Sequence, residues 1–385
     1  MPLIQPDQTF ALSAVAMAIV AFGMWVERTP WGQKLGGPLL LLAVAMGLAN
    51  LGIIPHSAPL FDNVAGLLVP AAIPLLLLRA DFKTIVTESG PTFVAFLVAT
   101  GATVIGSFAG VLAIDMGPFE PQIAGTITSS YIGGSLNFVA TAEAVGIKDS
   151  SIYVAGLSAD AAGAVFFLLA LMTMPALRFV RHAMPSRFIG GEATSQPAGE
   201  AAGAPHESES FDLARAANGL ALSLVVCAVS AWLSRLFGAD SLFILIVTAL
   251  SLLVANFAKP VVRRVTAEFE LGTLFMYLFF VAIGAGANLA DVVGAALPIL
   301  LFIIVMVVVH LILLTIAGKV LKLDLAEVMI ASNACILGPA PAAALAASKG
   351  WQPLIAPGIL VGMFGYAIAT FIGVALTALL TAWPA

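Results

Sequence analysis

The feature that most constrains this chain is a run of twelve apolar segments, each close to the ~20 residues a helix needs to cross a hydrocarbon core. They lie near 9–26, 37–54, 63–78, 92–114, 122–146 and 152–177. After a polar stretch they resume near 213–234, 241–257, 271–286, 292–317, 328–348 and 354–383. Only 10% of the residues are charged, against about 25% in a soluble domain. A surface so poor in charge is not wettable, so the expected solvent is a lipid bilayer. No Lys or Arg precedes the first segment, which argues for a retained span over a cleaved signal. Cys227 and Cys335 sit far apart in apolar runs and read as packing residues. No basic stripe points to nucleic acid.

The polar stretch divides the chain into a first repeat (1–180), a flexible cytoplasmic linker (181–211) rich in Gly, Ser, Pro and Glu, and a second repeat (212–385). The two halves resemble each other at a nearly constant offset. Gly134 and Gly146 match Gly338 and Gly350, 204 positions on, and Asp81 and Pro91 match Asn288 and Pro298 at 207. Asn50 and Asn256 share an Ala-Asn context at 206 and read as bridges between helices.

Charge placement orients the halves. Basic residues follow the first and third segments of the first half (Arg28, Lys34, Arg79, Lys83) but the second and fourth of the second (Lys259, Arg263, Arg264, Lys319, Lys322). With the basic side inside, equivalent loops face opposite sides and the repeat is inverted. Inversion needs an odd number of crossings per half, so one of the six segments in each must turn back. The candidates are 122–146, interrupted by Gly133-Gly134-Ser135, and 328–348, interrupted by Gly338-Pro339-Ala340-Pro341. With both re-entrant, the basic residues above join Arg178, Arg181, Arg187, Arg215 and Lys349 inside. That leaves only Lys148 and Arg235 of the 16 Lys and Arg outside. The expected fold is all-α and polytopic: five transmembrane helices plus one re-entrant or broken helix, repeated inversely, in the bacterial inner membrane with both termini periplasmic. Hairpins and unwound crossing helices both satisfy the count.

Broken helices at membrane depth survive only inside protein or along a wet cavity, and they commonly form substrate and ion sites. The first broken segment carries Thr128, Ser129, Ser130, Gly133, Gly134, Ser135, Asn137 and Thr141. The second carries Ser332, Asn333, Gly338 and Pro339. Close packing by small hydroxylated residues explains part of this pattern. The oxygen donors suit a weakly held Na+ or the polar groups of a small solute. Asp160 lies mid-span in Gly-Leu-Ser-Ala-Asp-Ala-Ala-Gly, where an acidic side chain costs ~2.5–3.5 kcal/mol on insertion scales and commonly serves transport. Asp160, Ser129 and Asn333 are the candidate Na+ ligands, with Asp160 as proton carrier the alternative. Glu143 reads as interfacial, His310 as a hydrogen-bonding bridge between helices, and Asp81 as a helix cap.

No nucleotide-binding, zinc-protease or Cys-x-x-Cys motif is present, so neither an ATP-driven pump nor an enzyme is expected. No cofactor is expected beyond a coupling Na+. With no Lys or Arg in the hydrocarbon core, an anionic solute would rely on helix N-termini or co-bound cations.

The run from Thr128 to Gly146, with Leu157-Ser-Ala-Asp160 after it, resembles the YjcL-like family of bacterial membrane proteins over nearly the whole chain. That family carries no assigned substrate. At fold level the layout is similar to the sodium:glutamate and 2-hydroxycarboxylate symporters. Their inverted repeats of five spans plus a hairpin work as dimeric elevators, and their Gly-rich tips are matched by Gly133-Gly134 and in part by Gly338-Pro339. The basic residue that holds a carboxylate in several such carriers has no match near Pro341, so a dicarboxylate is not implied. The crossed broken helices of bile-acid symporters and cation–proton antiporters remain the alternative fold. The function expected is Na+-coupled symport of a small polar organic solute by a homodimer, with the two broken segments and the spans after them mobile and 37–54 and 241–257 in the scaffold and dimer interface. Cation/proton antiport and a non-transporting sensor or scaffold are the alternatives.

Overall fold

In a computed structural model, which describes residues 2–27, 29, 37–189, 212–238 and 242–383, every regular element is helical. Arg28, Lys34 and the linker from 190 to 211, which enter the charge and domain readings, lie outside the described residues. The helices are α1 (Thr9–Glu27), α2 (Gly37–Asn50), α3 (Pro59–Leu77), α4 (Phe82–Glu88), α5 (Pro91–Ala113), α6 (Glu120–Gly133), α7 (Ser135–Ala144), α8 (Ser150–Thr173) and α9 (Arg178–Ala183). They continue as α10 (Leu213–Leu236), α11 (Phe243–Phe257), α12 (Glu268–Gly286), α13 (Leu289–Val320), α14 (Leu325–Leu337), α15 (Pro339–Ser348) and α16 (Ile355–Thr381).

Eight helices among the described residues are long and apolar enough to cross a bilayer: α1, α3, α5, α8, α10, α12, α13 and α16. The segments expected at 37–54 and 241–257 give shorter helices, α2 of 14 and α11 of 15 residues. After α2, Gly52 at φ 73° stops the helix, its N–H bonding Ala49 O while that of Ile53 bonds Leu48 O. Carboxylates cap several of the helices. Asp81 accepts from Lys83 N as expected, Asp149 from Ser151 N and Ile152 N, Asp212 from Ala214 N, and Asp324 from Ala326 N. The third segment has a π turn at Val64–Leu68. Pro70 follows it and has no N–H to offer Gly66 O, so the ladder must widen just before the proline.

The chain forms two compact units, each drawing on both halves of the sequence. The first comprises Met1–Leu78, Ala142–Ala161 and Phe211–Ile299; the second comprises Arg79–Thr141, Ala162–Ser210 and Leu300–Ala385. Within the first, α12 lies so close to α2 that a Cβ on Gly284 would fall 2.7 Å from Leu42 O. Asn50 reaches from α2 to Ala287 O at 3.0 Å, the bridging role expected of it. The bond resolved for Asn256 runs within its own helix, to Leu252 O.

The second unit holds nearly all of both broken segments, and both turn back as hairpins. Ser129 Oγ lies 2.6 Å from Thr141 Oγ1 and donates to Asn137 O at 2.9 Å. Twelve residues of continuous helix would separate such groups by about 18 Å, so α6 and α7 are antiparallel legs. For α14 and α15, one built Cβ on Gly358 would meet Ile330 Cγ2 at 2.7 Å and Ala342 Cβ at 3.4 Å, again twelve residues apart. Unwound crossing helices are therefore excluded.

The two hairpins share their local geometry at the offset read from sequence. Gly134 (φ 75°, ψ 176°) and Gly338 (φ 94°, ψ −176°) break the legs in a region open essentially to glycine alone. Gly134 N bonds Ser130 O and Gly338 N bonds Ala334 O. The second legs end in matching turns, Ile147 N to Ala142 O and Trp351 N to Ala346 O, around Gly146 and Gly350 at φ 77° and 72°.

Candidate functional site

The hairpin tips meet. A Cβ built on Gly134 would lie 3.7 Å from Leu337 O and 3.9 Å from Gly338 Cα. One turn back, Cys335 donates its thiol proton to Tyr131 O at 3.3 Å. Two helix ends thus bring their last carbonyls together, and two helix starts point away from the same place.

Helix α16 holds both hairpins through a stripe of small residues. A Cβ on Gly362 would sit 2.6 Å from Pro339 N, one on Gly373 would sit 2.6 Å from Gly125 O, and one on Gly365 would overlap Ile132 O. Gly358, Gly362, Gly365, Ala369 and Gly373 recur at helical spacing, so one face of α16 lies backbone to backbone against the legs. From the same helix Thr370 donates to Asn137 Oδ1 at 2.8 Å, while Asn137 Nδ2 donates to Gly133 O at 3.0 Å. The Tyr366 ring packs against both tips. Its Oη lies 3.3 Å from the Cβ position of Gly338, and its Cε1 lies 3.7 Å from that of Gly134. Tyr366 is half-buried, and its hydroxyl has no hydrogen-bond partner among the described residues. Tyr366 and Thr370 escaped the sequence reading, which looked for polarity inside the broken segments. The signal was the glycine stripe of the last span.

Most expected site residues come together here. Thr128 donates to Ala124 O and reaches Ser107 Oγ at 2.7 Å, while Ser129, Asn137 and Thr141 satisfy one another inside the first hairpin. Ser130 is buried, and Ser135 is half-buried at the start of α7. Ser332 Oγ lies 2.8 Å from His310 Nε2, whose Nδ1 lies 2.9 Å from Thr103 Oγ1. Thr103 donates to Ala99 O at 3.0 Å, which leaves its oxygen to accept. Nδ1 then carries the proton, and Nε2 accepts from Ser332. His310 is the bridge between helices that the sequence implied. Asn333 is 1% exposed, and its Oδ1 is a buried acceptor with no partner. Asp160 and Glu143 fall in the first unit. Asp160 is 6% exposed and shares one face of α8 with Gly156 and Gly163.

A strap closes the base of the second hairpin. After α9, Ser186 Oγ donates to Asp324 Oδ1 at 2.6 Å, Arg187 N to Asp324 Oδ2 at 2.9 Å, and Arg187 Nη2 to Glu327 Oε1 at 2.8 Å. Past the other leg, Trp351 Nε1 donates to Phe188 O at 3.2 Å. Residues 186–188 thereby tie both ends of the hairpin. Burial pushes the Glu327 carboxyl above the usual glutamate range, and Asp324 pushes the same way. The Arg187 guanidinium pulls against both.

The family described as "Protein of unknown function (DUF819)" matches residues 14–383. This chain belongs to that family. The "Uncharacterized membrane protein YjcL" of Bacillus subtilis (strain 168) is 33% identical to this DUF819 chain over 383 residues, 96% of each protein. Membership supports a multi-pass membrane protein, in keeping with the apolar helices, and assigns no solute. The meeting tips of this DUF819 protein bring hydroxyls, amides and carbonyls close together.

Proposed function

We propose that this protein is a secondary active transporter, a Na+-coupled symporter of a small polar organic solute that works by an elevator motion. The observation that carries the reading is the pair of re-entrant hairpins whose glycine tips meet inside one compact unit. Backbone polar groups freed at membrane depth need a wet cavity or a ligand, and a purely structural protein gains nothing from two such breaks. Support for an inverted repeat comes from the shared geometry of the tips at one offset and from the reversed basic loops.

In this reading the second unit, with both hairpins and α16, carries solute at the tips beside Tyr366. α2 and α11, in the first unit, form the scaffold and the homodimer contact. In this reading the eight long helices with α2 and α11 make ten crossings, and the positive-inside pattern of the loops supports both termini outside an inner membrane. No reaction is catalysed.

The test is uptake into proteoliposomes from a panel of small polar solutes, with and without an inward Na+ gradient. Na+-driven accumulation of one solute class, lost in Asp160→Asn, is the expected result. Uptake indifferent to Na+ and proton gradients, or to that substitution, would overturn the proposal.

A further inference from the structure

We infer that the second hairpin holds a monovalent alkali cation on Asn333. A buried amide oxygen without a hydrogen-bond donor is rare in a folded protein, and the usual resolution is a bound ion or water. Asn333 Oδ1 is such an oxygen, on a residue only 1% exposed. Its surroundings explain why no N–H answers it.

Asn333 and Leu337 lie four residues apart, on one face of α14. Leu337 is the last residue of that helix, and its carbonyl would ordinarily accept from the N–H of residue 341, that of Cys335 from residue 339. Both positions are proline and have no N–H to give. Gly338 Nα–H is committed to Ala334 O, and Cys335 Sγ–H to Tyr131 O. Acceptors thus outnumber donors on this leg, at the carbonyl end of a helix, where the backbone dipole favours positive charge.

The first hairpin shows what the second lacks. Ser129, at the position matching Asn333, is satisfied by Thr141 and Asn137 O. Asn137, matching Pro341, keeps both its N–H, bonded to Gly134 O, and a side-chain amide bonded to Gly133 O. Lower on the first leg Gln122 Oε1 and Thr126 Oγ1 are also buried without a partner, but at these matched positions beside the tips the first hairpin has donors and the second has none, and that contrast assigns the cation to the second. Of the three candidate Na+ ligands read from sequence, Asn333 is therefore the one with an unanswered oxygen.

The ligand chemistry follows from the donor set. Amide and carbonyl oxygens are hard and neutral, and they suit a partly dehydrated Na+. Divalent ions are ordinarily held by carboxylates. As the coupling site of the proposed symporter, this cation site rests on the transport reading. As a binding site it does not, and the test is chosen accordingly.

The detergent-purified protein is titrated with Na+ at constant ionic strength, K+ and Li+ serving as comparators, and thermal unfolding is followed. Saturable stabilisation by Na+ is expected in the wild type. Asn333→Leu, which removes the orphan oxygen at similar volume, is expected to melt higher without Na+ and to lose the response. Asn333→Asp is expected to lower the half-saturating Na+ concentration by about tenfold through a charged ligand. Where the leucine variant does not fold, Asn333→Ala must lose the response in its place. A wild type indifferent to all three cations would overturn the inference, the oxygen then holding water. A Na+ response retained in Asn333→Leu or Asn333→Ala would overturn it as well, by placing the ion elsewhere. Neither failure touches the transport reading, which is judged on uptake.

Discussion

At the scale of single residues, the second unit is governed by where a side chain is not. Gly134 has room for a methyl group, the nearest atom to a Cβ lying at 3.7 Å, and at Gly338 the Tyr366 hydroxyl, 3.3 Å from a Cβ, need yield by only a few tenths of an ångström. Their backbone conformation is what excludes other residues. Alanine at either tip is expected to cost about 1–3 kcal/mol of strain and to lower the melting temperature modestly. Gly362 and Gly373 present the opposite case. Their backbone is ordinary helix, but a Cβ meets main-chain atoms at 2.6 Å. Alanine there must push α16 off a hairpin, and rigid backbone cannot yield as a side-chain tip does. Gly362→Ala and Gly373→Ala are therefore expected to melt below the two tip variants in the same detergent. His310 is a third kind of residue, held at both nitrogens. Bridging hydrogen bonds of this kind average only about 0.6 kcal/mol in membrane proteins. His310→Gln, which keeps one donor and one acceptor, is expected to melt within a few degrees of wild type and above His310→Leu.

At the scale of elements, the hairpins differ in how their bases are held. The strap over the second joins Asp324 and Glu327 at one end to Trp351 at the other. Cys335 is a native reporter for it, being fully buried on that hairpin. In a Cys227→Ser background, Arg187→Ala combined with Trp351→Phe is expected to speed alkylation of Cys335 by a maleimide. An unchanged rate would show that the strap does not restrain the hairpin. The same strap sets a pH dependence through Glu327, in the first turn of α14. Its raised pKa means that the folded state keeps the proton to higher pH than the unfolded chain does. Stability is then greatest below the ordinary glutamate pKa and falls as pH rises through the raised value. Glu327→Gln is expected to flatten that slope. Arg187→Ala, by removing the cation that opposes burial, is expected to extend it to higher pH. Melting temperatures measured from mildly acidic to neutral pH check both.

At the scale of the whole molecule, the charge pattern makes a topological prediction. Alkaline phosphatase, active only outside the cytoplasmic membrane, is expected to be active when fused after Trp383 and inactive when fused within 190–211. Activity at both points would remove the ten-crossing arrangement. Much of this scale was legible in the chain itself. Helix positions followed from apolar run length, because in lipid every backbone group must bond within its own segment, and length then decides the element. The hairpin tips were legible because glycine at 134 and 338 is nearly the sole residue able to hold their backbone angles. The likeness of the two hairpin turns was legible because they reuse glycines at a fixed offset. The capping of α4 by Asp81 and the bridges made by Asn50 and His310 followed from their polarity in apolar surroundings. What stayed hidden depended on neighbours distant in sequence. That 122–146 and 328–348 fold back, and do not merely unwind, is settled by contacts twelve residues apart. That their tips meet depends on α16, whose glycines let backbones touch but name no partner. The strap joins residues roughly 140 positions apart, which no local pattern announces. Ser129 and Asn333 looked interchangeable as ligands in the sequence. Only packing decided that one is satisfied within its hairpin while the other keeps a buried oxygen unanswered, because hydrogen-bond satisfaction belongs to the folded neighbourhood and not to the residue.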